Sequence, residues 1–186
     1  FTEIMRQKVR DQIMLPMISA MQQESRPFKG ILYAGLMLTK TGSQILEFNV
    51  RFGDPETQPL LVRMDSDIIP IFEACIDGTL DQCPLQWKNE SSVCVVMAAE
   101  GYPGPYEKGK PISGLQYANS LPGVEVFHAG TKTKDGEVLT QGGRILGVTA
   151  TGENTDTAIA KAYEAVDKIK WQGIHYRKDI GHRASD

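Results

Sequence analysis

The sequence predicts an α+β fold in two parts, and three observations lead to this prediction. Residues 1–80 begin with a long amphipathic helix pattern, followed by two apolar runs around a short turn and by further helix patterns. Residues 93–186 hold short strand-like runs separated by Gly-containing turns and end with one more helix pattern. The polar stretch 81–92, with Pro84, is the predicted linker between a first domain and a small β-rich domain closed by a helix.

Composition excludes several classes of function. The net charge is −3 and no block of Lys or Arg stands out, so neither nucleic acid nor a membrane surface is an expected partner. No apolar run approaches the roughly 20 residues that a membrane-spanning helix needs, and no secretory signal is visible. The three cysteines have no metal-type spacing, which predicts reduced thiols in a cytoplasmic protein.

The first element is a helix predicted over Thr2–Gln23, because apolar residues recur at every fourth position and form one face. These residues are Met5, Val9, Ile13, Met17 and Met21. Pro16 lies inside this pattern and is expected to kink or split the helix, since proline lacks an N–H. The chain starts at Phe1 with this helix and no preceding strand or cap, which predicts a piece cut from a longer protein.

A β-hairpin and two helices are predicted next. The apolar runs Gly30–Lys40 and Gln44–Phe52 flank the turn residues Thr41-Gly42, an arrangement typical of two antiparallel strands. Helices are then predicted over Glu56–Met64 and Asp67–Asp77, and a glycine directly after the second is suited to ending it.

The second part is predicted to be mostly strand. The predicted strands are Val93–Ala98, Val124–Ala129, Glu137–Thr140 and Arg144–Thr149. Thr133–Gly136 has the composition of a hairpin turn, and Thr155–Lys170 has a helix pattern. The Gly- and Pro-rich loop Gly101–Gly109 either closes over a ligand or only connects two strands.

Polar side chains alternate along the second strand of the hairpin. Glu47, Asn49 and Arg51 share one predicted face, because strand side chains alternate between faces. A carboxylate and an amide oxygen two residues apart can hold Mg²⁺ together, and the guanidinium can bind a phosphate or carboxylate. The alternative is an amphipathic strand whose polar face is only solvated.

A turn pattern follows this strand directly, in Gly53-Asp54-Pro55-Glu56. Glycine permits a sharp turn, and Asp54 is predicted to cap a helix whose first position is Pro55. The N-terminus of such a helix favours anions.

A second candidate for phosphate binding is Gln141-Gly142-Gly143-Arg144, which precedes a predicted strand. Paired glycines can expose backbone N–H groups, and Arg144 could bind a phosphate beside them. The alternative is a plain β-turn with a surface arginine.

These motifs resemble the phosphoribosylamine–glycine ligases of the ATP-grasp superfamily. Gly30–Gln58 is closely similar to that family, and R-F-G-D-P-E-T-Q is its most specific part. The resemblance continues in the family's order through Ala98–Gly109, Phe127–Thr131, Gly142–Ala150 and Tyr176–Ala184. It implies the C-terminal part of an ATP-grasp domain, an antiparallel sheet with helices, followed by the small β-rich C-terminal domain.

The family's reaction joins glycine to 5-phosphoribosylamine with ATP as co-substrate, giving glycinamide ribonucleotide, ADP and phosphate in purine biosynthesis. The resemblance implies that the glycine carboxylate first forms an acyl phosphate, which the amine then attacks. It also implies that Glu47 and Asn49 are ligands of Mg²⁺ or Mn²⁺, and that Arg51 holds the transferring phosphoryl group or the acyl phosphate.

Further residues acquire expected roles from the same resemblance. Gly53, Asp54 and Pro55 would shape the substrate pocket, with Asp54 as a partner for an amine. Arg144, together with Gly142 and Gly143, would contact the ribosyl phosphate.

Two departures from the superfamily bear on these expectations. Many ATP-grasp enzymes carry a further acidic metal ligand on the preceding strand, where this chain has Tyr33, Ala34 and Gly35. Most residues that bind ATP lie upstream of Glu47, so the missing N-terminal part of the enzyme is an expected partner and the chain alone is expected to be inactive. Another ATP-grasp ligase or carboxylase, or a non-catalytic module with this fold, are the alternatives.

Overall fold

The computed structural model describes residues 2–184, apart from the side chain of Arg183. Phe1, in the predicted first part, and Ser185 and Asp186, in the predicted second part, lie outside the described residues. The chain forms two compact units: the first comprises residues 1–53 and 67–84, and the second comprises residues 54–66 and 85–186. The mixture of helices and antiparallel strands confirms the predicted α+β class.

The first unit begins with the predicted helix, which has three sections. These are α1 Glu3–Val9, a π-helical turn Arg10–Met14, and α2 Leu15–Gln23. The N–H of Leu15 donates to the carbonyl of Arg10, five residues back, directly before Pro16. Proline lacks a donor and crowds the turn before it, so the helix widens there instead of breaking. The predicted apolar face is confirmed, because its five residues are buried or half-buried.

The predicted hairpin consists of β1 Tyr33–Thr39 and β2 Gly42–Asn49, paired antiparallel. A β-bulge interrupts the pairing, so that Gly35 faces Glu47 while Leu36 faces Ile45. The prediction of a strand as far as residue 52 was wrong. The partner strand begins at Tyr33, which pairs with Asn49, so the residues after Asn49 have no ladder partner on β1.

Two helices follow the hairpin: α3 Thr57–Leu61 and α4 Ile68–Asp77, the latter capped by Asp67 and ended by Gly78. The prediction that Asp54 caps a helix starting at Pro55 was wrong, because residues 54–56 form a turn and Glu56 is the N-cap. An N-cap carbonyl accepts the first bond of its helix. The Glu56 carbonyl accepts from Leu60, whereas the Asp54 carbonyl accepts from Arg144.

The second unit contains a four-stranded antiparallel sheet and a separate hairpin. Its elements are β3 Ser91–Ala99, α5 Leu115–Asn119, β4 Val124–His128, β5 Thr131–Lys134, β6 Glu137–Thr140, β7 Arg144–Gly152, α6 Thr155–Val166 and β8 Ile174–Tyr176. The sheet order is β4-β7-β3-β8, and β5 pairs with β6 through the predicted turn. The sequence patterns did not predict the short elements α5, β5 and β8.

Each face of the four-stranded sheet is covered by a helix of the same unit. On one face, α6 packs on β3, β4 and β7 with small buried residues such as Ala158 and Ala162, forming the main core. On the other face, α3 packs on β3 and β7, where Gln58 and Cys94 both lie close to Gly147. This packing explains why residues 54–66 belong to the second unit. Among the described residues, no helix is both long and apolar enough to cross a membrane.

Candidate functional site

The first cluster of predicted site residues lies on β2, within the first unit. Nδ2 of Asn49 donates to Oε1 of Glu47 over 3.0 Å, so the carboxylate and the amide are direct neighbours. Glu47 is exposed and Asn49 is half-buried. Gly35 lies opposite on β1, and a Cβ there would come within 3.0 Å of Cγ of Glu47. From the sequence, Gly35 is recognised only as a residue that is not acidic, and the room that it leaves for Glu47 was missed.

The donor set of this cluster fits a magnesium ion. Mg²⁺ prefers oxygen ligands and is usually held by one or two protein groups together with substrate phosphates and water. The carboxylate of Glu47 and the amide of Asn49 are donors of this kind. No group of three or more His, Cys, Asp or Glu that could form an all-protein metal site occurs in the described part of the chain.

Arg51 lies beyond the end of β2, so the alternation of strand faces does not place it beside Glu47 and Asn49. Its side chain is exposed, and Nη1 donates to the carbonyl of Phe52 over 3.2 Å. The prediction that these three residues share one strand face was therefore wrong for Arg51. Its role with phosphate depends on side-chain reach rather than on strand geometry.

The second cluster joins Asp54 and Arg144 within the second unit. Nη1 of Arg144 donates to the backbone carbonyl of Asp54 over 3.0 Å, and Nη2 lies 3.2 Å from Oδ2 of its carboxylate. Both side chains are partly accessible, at 42% for Arg144 and 44% for Asp54. Beside Asp54 in the chain, Gly53 is half-buried and Pro55 is exposed. Two residues with separately predicted roles are thus partners of each other.

The glycines before Arg144 lie against other parts of the second unit. The N–H of Gly142 donates to the carbonyl of Gly130 over 3.0 Å, and a Cβ on Gly142 would come within 2.9 Å of Cα of Gly130. A Cβ on Gly143 would overlap the ring of Tyr102. The N–H of Gly142 is therefore already used within the protein, and both glycines have a packing reason that no local sequence pattern indicated.

Tyr102 belongs to the loop Gly101–Gly109, and three later residues of this loop, Pro105, Tyr106 and Glu107, border a cleft of about 470 Å³ in the second unit. Lys110 lies in this cleft, and its Nζ contacts Glu107 at 2.6 Å and Oε1 of Gln172 at 3.1 Å. The loop therefore does more than connect two strands, since one end supports Gly143 and the other borders a polar cleft.

Cys94 lies on the face of the sheet that α3 covers, and the pKa of its thiol is shifted. Burial raises the pKa of its thiol, hydrogen bonding with Thr149 lowers it, and the charge of Asp54 raises it further. The buried thiol is held in its neutral form, which suits a packing role rather than that of a nucleophile.

Comparisons with known proteins cover both units. The family described as "Phosphoribosylglycinamide synthetase, ATP-grasp (A) domain" matches residues 1–57, and "Phosphoribosylglycinamide synthetase, C domain" matches residues 92–183. The phosphoribosylamine–glycine ligase of Rhodopirellula baltica is 52% identical over 95% of this chain, and that of Pseudomonas aeruginosa is 49% identical over 96%. The chain spans about two fifths of the length of these relatives, 41% and 42%.

Among solved structures, a ligase with the same name as these relatives also matches this chain. The crystal structure of phosphoribosylamine–glycine ligase from Thermotoga maritima matches 87% of this chain and 39% of its own, with a TM-score of 0.75 and 36% identity. A biotin carboxylase from Campylobacter jejuni matches with a TM-score of 0.64 at 17% identity, which shows a shared fold alone.

Proposed function

Because the chain belongs to the phosphoribosylglycinamide synthetase family, we propose that it carries part of the active site of a phosphoribosylamine–glycine ligase. The complete protein would join glycine to 5-phosphoribosylamine with ATP and release glycinamide ribonucleotide, ADP and phosphate in purine biosynthesis. The observation that supports this proposal most directly is the contact between Glu47 and Asn49, with Gly35 leaving room opposite.

In this proposal Glu47 and Asn49 hold Mg²⁺ or Mn²⁺. The bound ion supplies neutralisation of negative charge on the phosphates of ATP. Arg51 holds the transferring phosphoryl group or the acyl phosphate, because a guanidinium can donate two hydrogen bonds to such an anion.

Asp54 is the proposed partner for an amine of the substrates, since its partly accessible carboxylate can accept a hydrogen bond from an ammonium group. Gly53 and Pro55 shape the pocket around it.

The proposed substrates are ATP, glycine and 5-phosphoribosylamine, with no nucleic acid and no membrane as partner. We also propose a cytoplasmic location, which the three free cysteines support.

The proposal is tested by measuring ADP release from the complete protein supplied with ATP, Mg²⁺ and phosphoribosylamine, with and without glycine. We expect ADP formation to require glycine. Replacing Glu47 by alanine removes a metal ligand, so the rate should fall on the order of 10²-fold or more. Raising the Mg²⁺ concentration should restore part of the lost rate.

The matched control is Glu73→Ala, which removes another exposed carboxylate from the first unit, on α4. Its rate should stay within about twofold of the wild type, as for most surface substitutions. ADP formation that is indifferent to glycine would instead indicate another ATP-grasp ligase or carboxylase. A complete protein that forms no ADP would favour a non-catalytic module.

A further inference from the structure

One guanidinium holds two different parts of Asp54. Nη1 of Arg144 binds the backbone carbonyl and Nη2 approaches the carboxylate, at 3.0 and 3.2 Å. The first contact fixes the main chain and the second restricts the side-chain rotamer. Because both donors belong to one rigid plane, the carboxylate is oriented relative to its own backbone. The two residues lie 90 positions apart in the sequence, so no local pattern could supply this restraint.

Arg144 is itself attached to a well-fixed backbone. It is the first residue of β7, it pairs with Ala98 beside a β-bulge, and its carbonyl accepts from Gly130 over 2.9 Å. The two preceding glycines are packed against Gly130 and Tyr102 with no room for a Cβ. The stem of the arginine therefore starts from a position that neighbouring backbone determines.

The rest of the segment 54–66 is held in a similar way, by donors that reach its backbone carbonyls. Oγ of Ser92 donates to the carbonyl of Pro59 over 2.7 Å, and Nζ of Lys88 donates to that of Val62 over 3.0 Å. These contacts secure α3 and the residues after it. Arg144 extends the same kind of attachment to the turn before α3, where Asp54 lies.

From these contacts we propose that Arg144 is a positioning residue, which acts on the ligase reaction by orienting the carboxylate of Asp54. This inference rests on the proposed function, in which Asp54 receives an amine. It differs from the role that the family resemblance implies, a contact to the ribosyl phosphate. The two roles predict different kinetics, because a positioning residue acts only through Asp54 while a phosphate ligand acts independently of it.

The test is a double-mutant cycle in the complete protein with Arg144→Met, Asp54→Asn and the two changes together. Misplacing a group by about 1 Å can cost about 10²-fold in rate, so Arg144→Met should lower kcat by about 10- to 100-fold. The double variant should be no slower than Asp54→Asn by more than about threefold, since the arginine then has no carboxylate to orient. Arg144→Lys should recover little, because an ammonium cannot serve both acceptors in one plane.

A ribosyl phosphate contact would give the opposite pattern. Arg144→Met would raise KM for phosphoribosylamine more than it lowers kcat, its effect would multiply with that of Asp54→Asn, and Arg144→Lys would recover part of the loss. Any of these results would overturn the positioning role. The control cycle uses Arg10→Met and Asp11→Asn, an exposed pair with the same 3.2 Å separation in the first unit, for which we expect no coupling in kcat.

A second readout does not depend on activity. In Arg144→Met, amide exchange within residues 54–61 should accelerate several-fold while exchange in the centre of β7 stays unchanged. Unchanged exchange at 54–61 would overturn the positioning role even in an inactive protein. Absence of glycine-dependent ADP release from the wild type would instead contradict the proposed function, so the two failures are distinguishable.

Discussion

The two units differ sharply in how they bury apolar side chains. In the second unit, both sheet faces are covered, and Val95, Ile145 and Val148 are fully enclosed. In the described part of the first unit, only Ile13 is a buried hydrophobic residue. Large apolar side chains stay exposed on its hairpin and on α4. These include Met37, Leu38, Ile45, Leu46, Ile69 and Ile76.

Because of this difference, the buried core residues and the predicted metal ligands lie in different units. The predicted metal ligands Glu47 and Asn49 lie on a lightly packed hairpin, where substitutions create little cavity. The groups that position Asp54 lie in the unit with the continuous core. We therefore expect substitutions in the first unit to change ligand requirements more than stability, and core substitutions in the second unit to do the reverse.

Truncating one isoleucine in each unit should give the largest difference in stability between the units. Ile145 is completely buried, so Ile145→Ala should lower the free energy of unfolding by about 2–5 kcal/mol. Ile45 is 48% exposed, so Ile45→Ala should cost less than about 1 kcal/mol. Urea unfolding of the chain, followed by circular dichroism, measures both changes. The fluorescence of Trp87 and Trp171, which both lie in the second unit, follows the Ile145 change separately. Equal costs would contradict the proposed contrast in packing.

Adding one methyl group at Gly35 tests the ligand chemistry of the first unit. The added Cβ would lie 3.0 Å from Cγ of Glu47, so the carboxylate must shift by a few tenths of an ångström. In the complete protein, Gly35→Ala should raise the Mg²⁺ concentration needed for half-maximal ADP release by roughly tenfold, as when the support of a metal ligand is disturbed.

The matched control for Gly35→Ala is Ser43→Thr, which adds a methyl elsewhere on the same hairpin and should leave the Mg²⁺ requirement unchanged. The unfolding free energy of the chain should stay nearly constant in both variants. A large loss of stability in Gly35→Ala, with no change in the Mg²⁺ requirement, would show that the glycine serves packing alone.

The smallest expected effect concerns the pH dependence of the second unit. Burial raises the pKa of Cys94 in the fold, so the unfolded chain loses this proton first as the pH rises. The neutral thiol of Cys94 therefore makes its full contribution to the free energy of unfolding below the ordinary thiol pKa of about 8.5. This contribution is lost as the pH rises toward the pKa of the thiol in the folded protein.

Between pH 7 and pH 9.5, the free energy of unfolding measured with urea should thus fall with rising pH, by at most about 1.4 kcal/mol per pH unit. In Cys94→Ala the part of this fall that Cys94 causes should be absent. Cys75→Ala is the control, because that half-buried thiol has no comparable enclosure and its removal should leave the decline in place. An identical decline in both variants would assign the pH dependence to other groups.

Patterns within a few residues predicted much of the secondary structure. The apolar face of the first helix, the β1–β2 hairpin and the turn between β5 and β6 depend on local periodicity and turn chemistry, and all three were confirmed. Asp135 and Gly136 both have positive φ, at 51° and 82°, as the predicted turn requires. The family resemblance was likewise confirmed by the comparisons.

The errors at the candidate site arose from contacts between distant residues. Arg51 was placed on a strand whose length is decided by where β1 begins, and Asp54 was assigned as a cap although Arg144 binds its carbonyl. The proximity of Glu47 and Asn49 followed from strand spacing, whereas the pairing of Asp54 with Arg144 had no local signature. The linker at 81–92 and the ligand roles of the site residues stay predictions.

The helix α3 has a consequence for how such proteins can be recombined. The sheet of the second unit takes one of its covering helices from residues 54–66, while its strands begin only at Ser91. A genetic crossover within residues 67–84 would join the sheet of one parent to the helix α3 of the other, so Gln58 would lie beside the Gly147 of a different parent. Viable chimeras should therefore exchange residues 54–66 together with the sheet that begins at Ser91. Alternatively, the residues on both sides of the contact between α3 and the sheet should be the same in the two parents.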